Sequence, residues 1–181
     1  MRKDKPVVIL GVTGSIAAYK ACDITSALRK TGMDVRVILT KEAKEFIAPL
    51  TLQTLSGNKV SCDMFELPEE WDPMHISLAE KASLVLIAPA SANLIGKLAA
   101  GICDDLLTCV VLATKAPVLI APAMNTNMYE HKIVQSNIAK LKALGYSFIG
   151  PIKGRLACGA EGIGHIAATD DIMAESKRLL K

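Results

Sequence analysis

The sequence predicts one α/β domain built on a doubly wound parallel sheet, and three observations carry that prediction. Short continuous apolar runs recur along the 181-residue chain, helical apolar stripes lie between them, and glycine, proline or a small polar residue punctuates their ends. Val7-Val-Ile-Leu10 is the first run, stopped by glycine and apolar at every position, as a central strand covered on both faces requires. Ala17, Ala21, Ile24 and Leu28 follow at spacings of four, three and four before Gly32, which predicts a helix closed by a glycine stop. The alternation continues with strands at Val35 to Leu39, Leu84 to Ala88, Val118 to Ala121 and Ser147 to Ile149. Helices are expected over Leu94 to Ala99, near Ile133 to Leu144, and from about His75 to Lys81. Phe65 to Met74 and Pro151 to His165 read as irregular segments. The whole is a Rossmann-like (flavodoxin-like) arrangement, with helices on both faces of the sheet and residues 1–181 as a single domain.

Composition narrows the function. An apolar content of 51% is ample for a core on both sides of a sheet. A net charge of +3 with scattered Lys and Arg leaves no electrostatic footprint for nucleic acid or an anionic membrane. Cys22, Cys62, Cys103, Cys109 and Cys158 form no CxxC pair, and three histidines complete no zinc pattern, so no metal is expected. The chain runs from Met1 directly into a strand, and each long apolar stretch is broken before membrane-spanning length, which predicts a cytoplasmic protein.

In an open parallel sheet ligands collect beyond the C-terminal strand ends, where three motifs fall. Gly11-Val-Thr-Gly14-Ser15-Ile16 lies between strand and helix; it can hold a phosphate at the positive end of the helix, or form a capped turn. The three-glycine dinucleotide fingerprint is missing, and strand two ends at Thr40 rather than at an acidic residue for a ribose, which disfavours NAD against a mononucleotide such as FMN. Ser91-Ala-Asn93 reads as a helix N-cap or as small groups under a flat ring. Pro122-Ala123-Met124-Asn125 places an amide side chain just past a buried strand, where it must find a partner. His75 follows Pro73 at a helix start, a cap position or a catalytic one. Gly154-Arg-Leu-Ala-Cys158-Gly-Ala-Glu-Gly162-Ile-Gly164 sets a thiol in a glycine-dense loop, which reads as a flap over about 151–166 that closes on a ligand.

Taken in order, the Gly14-Ser15 turn, His75-Ile-Ser-Leu, Ser91-Ala-Asn93, Pro122-Ala-Met-Asn125 and the Cys158 flap resemble the homo-oligomeric flavin-containing cysteine decarboxylases over about Val7 to Ile166. The resemblance implies FMN as cofactor and 4'-phosphopantothenoylcysteine as small-molecule substrate, decarboxylated to 4'-phosphopantetheine for coenzyme A. It implies flavin contacts from Gly14, Ser15, Ile16, Thr40, Ser91, Ala92, Asn93, Leu94 and Ala123. Leu94 stands where relatives carry threonine, Tyr129 where they often carry Trp, and His165 where many bacterial relatives carry arginine. Asn125 is expected to hold the substrate carboxylate, His75 to orient the substrate or take its thiol proton, and Arg155, Leu156 and Ala157 to line the closed flap. Cys158 is expected to protonate the ene-thiolate left after oxidation and loss of CO2. The resemblance further implies a trimer or dodecamer with FMN at the subunit boundary. Because many bacterial relatives fuse this domain to the preceding synthetase, that enzyme is expected as a separate protein. Two other functions share the fold: a lantibiotic-type peptide cysteine decarboxylase, disfavoured by the complete flap, and a non-enzymatic flavin-binding regulatory subunit, disfavoured by the lack of acidic extensions.

Overall fold

A computed structural model describes residues 5–65, 73–155, 159 and 161–181. In chain order its elements are β1 (Val7–Val12), a 3-10 turn at Ile16–Tyr19 leading into α1 (Lys20–Lys30), β2 (Asp34–Leu39), a second 3-10 turn at Glu42–Glu45 and α2 (Pro49–Ser56). They continue as α3 (Met74–Lys81), β3 (Leu84–Ala90), α4 (Ala92–Ala100), α5 (Leu106–Ala113), β4 (Val118–Pro122), α6 (Thr126–Glu130) and α7 (Lys132–Ala143). β5 (Ser147–Phe148), β6 (Ile152–Arg155), β7 (Glu161–His165) and α8 (Thr169–Leu179) complete the chain.

Five strands form one parallel sheet in the order β2-β1-β3-β4-β5. Val8 pairs with Val35 on one side and Leu84 on the other, so β1 sits beside the point where the winding reverses. The alternation of side chains along β1 divides the core. Val8, Leu10 and Val12 pack with Ile24 and Leu28 of α1 and Ile172 of α8, whereas Ile9 packs opposite with Ile95, Leu107 and Leu141 of α4, α5 and α7. Gly11 makes this second layer possible at its tightest point, because a Cβ there would lie 2.6 Å from Leu107 Cδ1. β3 is buried at all seven positions. Pro89 cannot donate to a neighbouring strand, and the β3–β4 register shifts between Ile87 and Ala90.

The expected strands and helices are present, with three differences. Pro151 to His165 is not irregular throughout: β6 and β7 pair antiparallel as a separate hairpin, with Arg155 opposite Glu161. Its glycines permit a close-packed strand pair rather than excluding one. α2, α5 and α6 were not expected. Leu106–Ala113 is apolar almost throughout and has no helical stripe; its legible signal is the cap at Asp105, whose carboxylate accepts from the Thr108 amide at 2.8 Å while Thr108 Oγ1 accepts from the Asp105 amide at 3.2 Å. Of Phe65 to Met74, residues 66–72 lie outside the described residues, and Met74 already begins α3.

Candidate functional site

Three strand ends are fastened to one another just beyond the sheet. Thr13, at the end of β1 and buried, donates through Oγ1 to the Pro89 carbonyl at 2.8 Å and accepts from the Ser91 amide at 2.8 Å. This fixes the β1 turn against the β3 turn. Ser15 Oγ donates to the Ala123 carbonyl at 3.1 Å and accepts from the Ala17 amide at 3.3 Å, which ties the same turn to the end of β4 and caps the 3-10 turn. The Ala123 amide donates to the Ala90 carbonyl at 3.0 Å and closes the set. Ser15 and Ser91 therefore do act as caps: Ser91 Oγ accepts from the Leu94 amide at 3.3 Å at the head of α4.

A cavity of about 600 Å³ opens over these turns. Its floor is Gly14, Ser15, Ile16 and Ala17 from the first turn, Ser91 and Ala92 from the second, and Ala123, Met124 and Asn125 from the third. Tyr19, Phe46 and Met128 stand at its walls, and Arg155, Gly164, His165 and Ile166 of the hairpin segment close one side. Ile16, Tyr19, Phe46 and Met128 are each about half exposed, which gives the mouth an apolar rim. Small residues below and apolar groups around leave a broad slot with few polar positions, the form ligand sites take.

Asn125 has divided its amide. Its Oδ1 accepts from the Asn127 amide at 2.9 Å as the cap of α6, so the Nδ2 group is the half left to donate into the cavity. The hairpin is held against this corner by main chain: the Met124 amide donates to the Gly164 carbonyl at 3.0 Å. Gly164 has φ +148°, and a Cβ there would overlap the Met124 carbonyl; one at Gly162 would overlap Thr126 Oγ1. That hydroxyl is buried with no hydrogen-bond partner among the described residues.

Of the residues singled out from sequence, Gly14, Ser15, Ile16, Ser91, Ala92, Ala123, Asn125 and Arg155 meet in this one cavity. Four do not line it. Thr40 lies on a second, smaller cavity of about 380 Å³ with Lys41, Lys44 and Phe65. Asn93 is exposed on α4 and Leu94 is buried beneath it. His75 is in the first turn of α3, a helix packed on α5. Leu156, Ala157 and Cys158 lie outside the described residues. Thr13, Phe46 and Met128 were missed. Thr13 precedes Gly14 in the motif already noted, whereas Phe46 and Met128 carry no local signal because only the tertiary fold brings them to the rim.

The described residues contain no group of three or more His, Cys, Asp or Glu able to hold a metal ion. A flavin does fit what is present. The turns supply amide groups at helix starts, the small side chains leave a flat bed, and the apolar rim suits an aromatic ring system.

Fold and cavity together define a flavodoxin-like α/β protein with a ligand-sized cavity at the reversal point of a 2-1-3-4-5 sheet. The chain belongs to the flavoprotein family, whose sequence pattern matches residues 1–181. It is 47% identical over 175 residues to a probable phosphopantothenoylcysteine decarboxylase of Streptococcus mutans, covering 96% of this chain and 98% of that protein. It is 49% identical over 166 residues to the coenzyme A biosynthesis bifunctional protein CoaBC of Bacillus subtilis, covering 92% of this chain and 41% of that protein. The chain thus spans about two fifths of the length of such bifunctional relatives. Among solved structures, a mutant PPC decarboxylase complexed with pantothenoylaminoethenethiol superposes with a TM-score of 0.86 at 35% identity, covering 96% of this chain and 97% of that one. The FMN-binding protein AtHal3 superposes with a TM-score of 0.81 at 35% identity, covering 96% of each chain.

Proposed function

We propose that this protein is an FMN-dependent phosphopantothenoylcysteine decarboxylase, which converts 4'-phosphopantothenoylcysteine to 4'-phosphopantetheine in coenzyme A biosynthesis. The observation that carries the reading is the cavity itself: a slot floored by the Ser15, Ser91 and Ala123 turns, with the free amide nitrogen of Asn125 at its edge. A relative matched over 98% of its own length bears that activity in its name.

The difficulty of the reaction lies in where electrons go. Loss of CO2 from a cysteine carboxylate leaves a carbanion with no adjacent sink. When bound, FMN supplies a hydride acceptor that creates the sink and then a hydride donor that removes it. The chain's own groups handle the rest. Asn125 Nδ2 donates to the substrate carboxylate and holds it among apolar walls, where the charged form is poorly solvated and its departure is favoured. Oxidation of the carbon bearing sulfur gives a thioaldehyde, from which CO2 leaves to form an ene-thiolate. Cys158 then delivers the proton that lets reduction restore a saturated cysteamine end. A thiol acting as an acid needs no cationic neighbour to lower its pKa.

His75 reaches a site of this kind from a second copy of the chain. Its place on α3, away from the cavity of its own subunit, and the exposed Ile16, Tyr19, Phe46 and Met128 at the mouth support a site shared between subunits of a trimer, alone or built into a dodecamer. We further propose that the protein works in the cytoplasm.

The test is incubation with 4'-phosphopantothenoylcysteine, with the visible spectrum and product mass recorded for the native protein and Cys158→Ala. A flavin spectrum and a product lighter by CO2 alone are expected. The variant should accumulate a product lighter by two further hydrogens. A flavin-loaded native protein that leaves this substrate unchanged would sink the reading.

A further inference from the structure

Three sulfur-bearing side chains meet where α5 begins. Cys109 Sγ lies 3.5 Å from Met64 Sδ and donates to the Cys103 carbonyl at 3.4 Å. The Cys103 thiol stands beside it, within hydrogen-bonding reach. None of the three lines the cavity of the candidate site. The fold holds each in place. The Asp105 cap turns the chain so that Cys103, just before α5, meets Cys109 on that helix, whose amide donates to the Asp105 carbonyl at 3.0 Å. Met64 comes from 45 residues upstream of Cys109, on a short segment anchored to β2. There the Ser61 amide donates to the Val37 carbonyl at 2.9 Å, and the Ser61 carbonyl accepts from the Leu39 amide at 3.0 Å. No spacing motif records such a set, because its thioether is supplied by a distant segment.

The carboxylates nearby are already engaged. Lys97 Nζ lies 2.7 Å from Asp104 Oδ1 and 3.0 Å from Asp105 Oδ2, and Asp105 Oδ1 accepts from the Thr108 amide and hydroxyl at 2.8 and 2.9 Å. The donors left to face an ion are sulfurs. Two thiolates with a thioether select a soft ion such as Cu(I) over Mg(II) or Ca(II), which take oxygen. Size agrees with this choice. An ion about 2.3 Å from each sulfur sets them about 4 Å apart, so Cys109 and Met64 need to part by only about half an ångström. Cys103 is exposed and Cys109 half-buried, which leaves an ion a way in. Burial pushes the Cys109 thiol up, and Cys103, Asp105 and Asp104 beside it act in the same direction, so an ion must displace a proton to bind.

We infer that Cys103, Cys109 and Met64 form a three-sulfur seat for a soft monovalent cation of the Cu(I) class. Two S–H bonds give way to two sulfur–metal bonds, both protons pass to water, and the thioether adds as a neutral donor. No electron is transferred. The positive ion relieves the repulsion that two adjacent thiolates would otherwise suffer, and it fastens the Met64 segment to α5. The inference rests on neither the flavin nor the proposed substrate.

Competition for Cu(I) tests it on the pre-reduced, flavin-loaded protein. Under argon, with ascorbate to keep the metal reduced, the protein is titrated into the coloured Cu(I) complex of bicinchoninate. The native chain and Cys22→Ser, whose thiol lies away on α1, should each withdraw one Cu(I) per chain. Cys103→Ser and Cys109→Ser should hold it about a hundredfold less tightly, and Met64→Leu, which keeps the apolar volume, about tenfold less. Circular dichroism melts show which variants are folded, and Met64→Leu keeps the test open if a serine variant is not. X-ray absorption at the copper edge should show sulfur neighbours alone, with fewer of them in Met64→Leu. Native affinity in Cys103→Ser and Cys109→Ser, or a first shell of nitrogen and oxygen, would overturn the inference. So would retention of Zn(II) in place of Cu(I). Flavin content and decarboxylation are recorded separately; their failure would remove the proposed function without touching the copper result.

Discussion

Ser15 Oγ donates to the carbonyl of Ala123 at 3.1 Å, joining the turn after β1 to the turn after β4 across a separation of 108 residues. The same oxygen accepts from Ala17, so one hydroxyl both closes a helix start and sets the width of the cavity floor. Ser15→Ala is expected to cost about 1 kcal/mol of stability. It should weaken flavin retention by more than an equally destabilising change elsewhere. Urea unfolding beside FMN release on dilution checks the pair of effects; unchanged FMN release would remove Ser15 from the site.

Thr13 is the more costly position. Thr13→Val keeps the shape but leaves the buried Pro89 carbonyl and Ser91 amide without the hydroxyl each now uses. A loss of about 2–3 kcal/mol is expected, read as a lower urea midpoint at unchanged m-value.

Asn125 offers a substitution that separates fold from chemistry. Aspartate can still accept from Asn127 and cap α6, but it replaces the Nδ2 donor with a negative oxygen, which would repel the carboxylate that the proposed function brings to this residue. Asn125→Asp should melt within a few degrees of the native protein and lose decarboxylation by about a hundredfold or more. A stable variant with native turnover would show that Asn125 is only a cap.

The hairpin contact predicts opposite effects on its two sides. Gly164→Ala puts a methyl group into the Met124 carbonyl at a positive φ and should cost about 2 kcal/mol or more, with faster proteolysis between residues 152 and 165. Thr126→Val removes a buried hydroxyl that has no partner among the described residues and should stabilise by about 1 kcal/mol. A destabilised Thr126→Val would mean that this hydroxyl has a partner.

Asp105 governs an acid-side effect. Burial alone would raise its pKa. The amide and hydroxyl of Thr108 and the Lys97 ammonium, at 3.0 Å, outweigh this and hold it below the ordinary carboxylate value. A depressed folded pKa contributes stability above the unfolded value, near pH 4, and that contribution is lost as pH falls through the folded one. Asp105→Ala should therefore cost about 1–2 kcal/mol at pH 7 and progressively less below pH 4. Thermal melts from pH 7 to pH 3 follow the gap between native protein and variant as it narrows.

The parallel sheet was legible because strands buried on both faces must be apolar throughout, as Val7 to Leu10 and Leu84 to Ala88 are. α5 was hidden for a related reason: Leu106–Ala113 is apolar even at Leu112 and Ala113, which are exposed, so no polar face supplies a period. The floor of the cavity could be read from its turns, since Gly14-Ser15, Ser91-Ala92 and Ala123 to Asn125 each follow a strand directly. Phe46 and Met128 could not, because their place on the rim follows from packing between segments far apart in sequence. The hairpin escaped notice because glycine, read as freedom, here serves close approach: Gly162 and Gly164 are bare where Thr126 and Met124 press against them.

The pairings that fasten the strand-end turns, Thr13 with Pro89 and Ser15 with Ala123, span 76 and 108 residues. No short fragment of the chain can contain both, so the binding slot comes into being only when nearly the whole sheet has assembled. A flavin has nothing to grip in a partly folded chain and joins last. Added during refolding, it should leave the rate of folding as it is and slow the return journey, acting as a latch on the finished molecule rather than a template for making it.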